Sequence, residues 1–246
     1  MSGGITVISA EGMNFKELND NIRAAGGDIR LTECFGQRYI AAGLGGRRII
    51  IEGTPGNALA AYMDGAEIIV NGNVQDAVGD TMNDGRVIVH GGAGDALGYG
   101  MRGGRIFIKG QAGYRAGIHM KEYKEKTPLI IIGTKAGSFL GEYMAGGALI
   151  VLGIGLNGIQ PVGNFTGTGM HGGVIYIRSD EKPRGMPAQV TAEEAGCEDI
   201  KAIERQVREY ADIFNFDINE LLSGRFFVLR PNARNPYHTL YTPNLR

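Results

Sequence analysis

Glycines at positions 53, 72, 91 and 110 stand 19 residues apart. Gly133 follows after 23 residues, with an insert over residues 121–127, and Gly153 follows after 20. A fixed period of this size means a stack of repeated supersecondary units in which no unit buries its apolar face alone. The spelling inside each unit repeats as well. Gly91, Gly94 and Gly98 read GxxGxxxG, as do Gly110, Gly113 and Gly117. Gly53 and Gly56 with Ala60, and Gly72 and Gly79 with Gln75, give the same pattern imperfectly, and Gly133, Gly137 and Gly141 give it with one extra residue. Ten residues after the lead glycine stands Met63, Met82, Met101 or Met120, and Met144 comes one place late. Each unit closes on one or two glycines and a short apolar run.

Those runs read as strands over residues 48–52, 67–71, 86–90, 105–109, 129–132, 148–152 and 174–177. About a dozen residues separate them, too rich in glycine for a helix, in which each glycine costs about 1 kcal/mol. Parallel strands joined without helices stack at roughly 4.8 Å per turn of chain. The fold expected is all-β, a single-stranded right-handed parallel β-helix of about seven coils, with a short N-terminal helix and a C-terminal helical tail. The division expected is a strand and helix cap over residues 1–27, the β-helix over 28–178, and a helical tail with an extended arm over 179–246. Of 41 glycines, 33 lie between Cys34 and Gly173, so the bias belongs to the repeats; the period is not three, which excludes collagen.

Stacked in register, the lead, second and third glycines (Gly53, Gly56, Gly72, Gly79, Gly91, Gly94, Gly98, Gly110, Gly113, Gly117, Gly133, Gly137, Gly141 and Gly153) are structural turn positions. They supply positive φ or close backbone approach. Met63, Met82, Met101, Met120 and Met144 form an inner ladder that fills the space the glycines leave. Ile50, Ile69, Ile88, Phe107, Ile130, Ile150 and Ile175 fall at one place in the strands, pointing outward if their neighbours point in, and need a cover from the tail or a partner.

The flanks carry their own signals. Residues 5–8 suit a strand, residues 14–25 a helix capped by Asn14 and Glu17, and residues 28–33 a further strand. Cys34 takes the lead position of a degenerate first coil. Ile200, Ile203, Val207, Tyr210, Ala211 and Phe214 fall on one face of a helix over 198–214. A short helix over 217–222, a strand-like run over 226–229 and a polar, extended arm over 232–246 complete the chain.

Little in the chain speaks for chemistry of its own. The formal net charge of -1 gives no bias toward nucleic acid. Cys34 and Cys197 cannot build a zinc or four-cysteine iron–sulfur site, and fit a reducing cytosol. No signal peptide or 18-residue apolar run occurs, so the protein is expected to be soluble and cytoplasmic. Gly153 to Gly158 spells GxGxxG, but Pro161, Gly163, Gly167 and Gly169 follow where a dinucleotide site needs a helix. GxSxG and GxxxxGK[ST] are absent, Ser138 has the wrong spacing for a nucleophile elbow, and His90, His119, His171 and His238 are scattered. Asp64, Asp84 and Asp95 suit turns. No catalytic, cofactor-binding or metal residue is assigned.

The GxxGxxxG coils, Gly141-Glu-Tyr-Met-Ala-Gly-Gly147 before the strand at 148–152, and GTGMHGGVIYI over 167–177 resemble the carboxy-terminal β-helix domain of the glutamate synthase large subunit. The resemblance covers residues 28–177, with support from 225–231, and fits a stand-alone third piece of a split enzyme. It implies a non-catalytic subunit that positions a glutaminase (amidotransferase) and a synthase part carrying FMN and an iron–sulfur cluster in partner subunits. Glutamine and 2-oxoglutarate would there be converted to glutamate, in ammonia assimilation. A homo-oligomer is also open. The glycine-repeat subunit of formylmethanofuran dehydrogenase, a molybdenum or tungsten enzyme, is similar in the same coils, and an independent binding solenoid stands as a third class.

Overall fold

The structure, a computed structural model, describes residues 4–232. Its strands form one eleven-stranded sheet: β1 (Thr6–Ser9), β2 (Ile29–Phe35), β3 (Arg48–Thr54), β4 (Asp64–Asn71), β5 (Asp84–Val89), β6 (Arg105–Ile108), β7 (Leu129–Ile132), β8 (Ala145–Val151), β9 (Gly172–Arg178), β10 (Val190–Glu194) and β11 (Phe226–Pro231). β1 to β9 pair in chain order and in parallel. From β2 onward each step is one turn of a solenoid of about eight turns, one more than the spacing predicts. At the far end β11 pairs antiparallel with β9, and β10 pairs antiparallel with β11. The reversed pair goes beyond what the sequence announces, since Val-Thr-Ala-Glu-Glu of β10 is too polar to read as a strand.

Ile, Val and Leu on the inward face of each strand build the core: Ile49 and Ile51, Ile68 and Val70, Val87 and Val89, Ile106 and Ile108, Ile130 and Ile132. Each such side chain taken fully from water contributes about 1.5–3 kcal/mol. Helix α1 (Phe15–Ala24) begins where the Asn14 side chain accepts from the amides of Lys16 and Glu17, both at 3.0 Å, and drives Leu18 and Ile22 into the same core.

The outward stripe departs from the expectation beyond the insert. Phe107 pairs with Ile131, and Ile150 with Tyr176. Ile130 and Ile175 therefore face inward, and Ile131 and Tyr176 take the outward places. Lead-glycine counting is one residue short here because Gly133 sits level with Lys109: its amide donates to Ile108, as the Lys109 amide donates to Val89. A shift of one residue reverses every side chain in a strand.

The tail covers most of that stripe. α2 (Cys197–Phe214) lays Ile203, Val207, Tyr210, Ala211 and Phe214 over Ile88, Phe107, Ile131, Ile150 and Tyr176, and α3 (Ile218–Leu222) adds Leu221. Ile50 and Ile69 lie nearer the other end and stay partly exposed. The extended arm expected from residue 232 onward lies outside the described residues, apart from Asn232.

Candidate functional site

The repeat glycines fall into three rows along the stack, each with its own physical cause. In the lead row, a Cβ on Gly53, Gly72, Gly91 or Gly110 would meet the carbonyl oxygen of the preceding lead residue at 3.0 Å or less. Only Gly53 of these has a left-handed φ, so close approach decides the residue at the other three. Cys34 heads this row, and β1 pairs with β2 only as far as Thr32, so no earlier lead residue lies against its Cβ. Burial pushes the Cys34 thiol up to about 11, which keeps it a neutral packing group. Gly153 differs from the row: it is left-handed, and its absent Cβ lies 2.7 Å from the carbonyl of Arg178 in the following strand.

In the second row, Gly56 and Gly137 face backbone of the coil below, while Gly94 and Gly113 face the side-chain oxygens of Asp76 and Asp95. Those oxygens are in use. Asp76 Oδ1 accepts from the amide of Asp95 at 2.9 Å, and Asp95 Oδ1 from the amide of Tyr114 at 2.8 Å. Asn57 accepts likewise from Asp76 at 3.3 Å. Asp95 alone suits an isolated turn, yet the spacing Asn57, Asp76, Asp95 repeats the lead-glycine period and is the sequence signal for the row.

The third row lies on the turn edge. Gly79, Gly98, Gly117 and Gly141 are left-handed, and a Cβ there would strike Ile106, Ile130, Leu149 or Ile175 in the core. Each coil has two further left-handed residues, two places before and two after: Ala77 and Thr81, Ala96 and Gly100, Arg115 and His119, Phe139 and Tyr143. Amide directions alternate along the edge. Ala96 and Gly100 donate to Tyr114 and Ile118 of the next coil, both at 2.8 Å, whereas Gly98 donates to Val78 of the previous coil at 2.7 Å. Met63, Met82, Met101, Met120 and Met144 are fully buried behind this edge, and Met170 follows them.

The surfaces available to other molecules are the turn edge and the sheet's outer face. On the edge His119 stacks on Tyr143 with ring centres 5.2 Å apart, and Phe139 stacks on Phe165 at 5.1 Å. The Arg115 guanidinium lies 4.9 Å over Phe139 and pairs with Glu142 at 3.0 Å. On the outer face a charge ladder runs from Arg48 to Glu67 to Arg86, and Glu209 of α2 bridges Arg86 at 3.2 Å and Arg105 at 2.6 Å. The Tyr210 hydroxyl donates to the Ile108 carbonyl at 3.2 Å, and burial raises its pKa. A Cβ on Gly133 would collide with the Lys109 carbonyl and with this hydroxyl.

The histidines do not converge. His119 belongs to the aromatic stack, His171 Nδ1 lies 3.2 Å from the Gly169 carbonyl, and His90 meets the edge of Phe214 at 5.3 Å with its pKa lowered by burial. Among the described residues no group of three His, Cys, Asp or Glu side chains could hold a metal ion, and no helix is long and apolar enough to cross a membrane. The glycines of residues 153–158 lead into the last coil and not into a helix.

The model of the GXGXG motif family matches residues 5–226. The chain belongs to the GXGXG motif family. Within that family's span lie all the glycine rows and the methionine ladder. The GXGXG chain is 43% identical over 255 residues to an uncharacterized protein of Methanocaldococcus jannaschii, covering 97% of each. Its fold is similar to that of a chain in the crystal structure of the formyltransferase/hydrolase complex from Methylorubrum extorquens in complex with methylofuran. There the TM-score is 0.63 at 17% identity, over 92% of this chain and 91% of that one.

Proposed function

We propose that this GXGXG chain is a structural subunit of a glutamate synthase. It holds a glutaminase and a synthase part in fixed relation, in nitrogen assimilation in the cytoplasm. The observation that carries the reading is the family match across residues 5–226, joined to the resemblance of residues 141–153 and 167–177 to the glutamate synthase domain. A rigid solenoid suits the work: its coils are tied to both neighbours at the turn edge, and its outer face carries a fixed helix. FMN and the iron–sulfur cluster belong to the partner subunits in this reading, and a partner would take the aromatic turn edge or the part of the outer face around Ile50 and Ile69.

The fold of a chain in a formyltransferase/hydrolase complex favours a second reading, a scaffold in a formylmethanofuran dehydrogenase type of assembly. Purification of the tagged chain from its native cells separates the two. An amidotransferase with a flavin and iron–sulfur protein supports the first, and a molybdopterin enzyme supports the second. The chain recovered by itself in gentle conditions supports an independent solenoid. The purified chain alone is expected to show neither flavin absorbance nor glutaminase turnover, and turnover would overturn the scaffold reading.

A further inference from the structure

The loop over residues 153–161, the strand end and turn over 178–184, and the segment after α3 enclose a cleft of about 550 Å³. Its walls are tied together. Gln160 accepts from the Arg184 amide at 2.9 Å, Arg225 donates to the Asp180 carbonyl at 2.9 Å, and Arg178 donates to the carbonyls of Leu152 at 3.3 Å and Glu220 at 3.2 Å. The cleft therefore keeps its shape without a ligand. We propose that it binds a small oxyanion, a carboxylate or phosphate group, between Arg178 and the glycine loop.

Arg178 carries the first part of the case. It has no carboxylate within ion-pair distance among the described residues, and its buried Nε meets no acceptor. Its two hydrogen bonds go to neutral carbonyls, so its charge is unmatched in a partly buried place, which favours an anion nearby. Lys182 on the same wall is likewise without an ion pair among the described residues. Arg184 and Arg225 are paired with Glu181 and Glu194. Asp180 and Glu220 also line the cleft, and cations outnumber carboxylates on its walls by one.

The glycine loop supplies the second part. Gly155 and Gly158 are left-handed, and nothing lies within 4 Å of where their Cβ atoms would be. Packing therefore does not demand glycine here, in contrast to the lead row, and bare backbone faces the cleft. The amides of Gly155, Asn157 and Gly158 donate to no acceptor among the described residues. The Leu156 amide between them donates to the Gly153 carbonyl at 3.2 Å, so the free amides stand on either side of a closed turn, and free amides beside left-handed residues suit an anion. The proposal does not depend on which assembly the chain serves.

The test is amide NMR of the full chain, titrated separately with phosphate and with succinate at constant ionic strength, with chloride as the control. Saturable shifts at Gly155, Asn157, Gly158 and the Arg178 Nε–H are expected. Saturation by phosphate alone identifies a phosphate site, and by succinate alone a carboxylate site. Lys182→Gln, an exposed change that leaves the fold intact, should weaken binding about tenfold, and Arg178→Gln should abolish it. Shifts that stay linear in anion, that chloride reproduces, or that Lys182→Gln leaves unaltered in size and midpoint would overturn the proposal.

Discussion

The sheet and the turn edge of each coil share one register but accept different residues. On the sheet, inward places hold Ile, Val or Leu without distinction, because a side chain there needs only to be apolar and of suitable volume. On the turn edge three residues per coil are left-handed, a conformation costing about 1–2 kcal/mol for a residue with a Cβ. Ala58, Ala77, Ala96, Arg115 and Phe139 adopt it regardless. In the coils of Gly79, Gly98, Gly117 and Gly141 the middle of the three is glycine, where a Cβ would strike a core side chain, whereas the first two coils hold left-handed, buried Ala41 and Ala60 there. The glycine row thus marks collisions, while left-handed backbone is more widespread than the glycines show.

Four measurements bear on this contrast, in descending size. Tyr210→Ala should cost about 3–5 kcal/mol, as for other buried aromatics, and raise amide exchange across α2. A urea midpoint equal to the parent's would mean that the outer face does not depend on its helix. Gly98→Val should cost about 3 kcal/mol from left-handed strain plus overpacking against Ile130. The same change at Ala96, whose backbone is also left-handed but whose Cβ avoids the core, should cost about half as much. Equal losses in thermal melts would refute the collision account. Ala96→Gly should stay within about 1 kcal/mol of the parent, as relieved strain offsets the added freedom of the unfolded chain.

The smallest effect concerns the insert. Lys126 reaches back to Asp84 at 2.9 Å and Asp64 at 3.3 Å. The hydrogen bond from Lys126 holds the Asp84 carboxyl below its usual 3.8, so this contribution is present above that pH and lost as pH falls through the depressed value. The same bond raises Lys126 above 10.5, so its contribution is present below that pH and lost as pH rises through the raised value. Lys126→Ala should cost under about 1 kcal/mol between those limits, as for exposed pairs. A larger loss by chemical denaturation would make the insert a structural brace.

Much of this architecture is legible in the sequence. The lead glycines announce their period because backbone contact leaves no alternative residue, and α1 and α2 announce themselves through Asn14 and the spacing of Ile203, Val207 and Tyr210. The outward place of Ile150 is legible, but those in β7 and β9 are not, because Gly133 sits against the Lys109 carbonyl, one residue ahead of the lead place, and no lead glycine follows β9. Left-handed alanines leave no trace in a sequence, since alanine ordinarily disfavours that conformation and here adopts it only because the stacked coils impose it. The cleft depends on Arg178 and Arg184, which residues distant in sequence bring against the glycine loop.

The alternating amides of the turn edge limit how such a molecule can change length. On this edge every inner coil gives two amide protons upward and one downward, so a cut within such a coil strands donors at both new ends. Removal of one complete repeat, by contrast, lets the coils above and below meet with matching partners. Growth or shortening by entire repeats is therefore the route this geometry leaves open, and the spacing between whatever the solenoid holds apart would change in steps of one strand separation, about 4.8 Å.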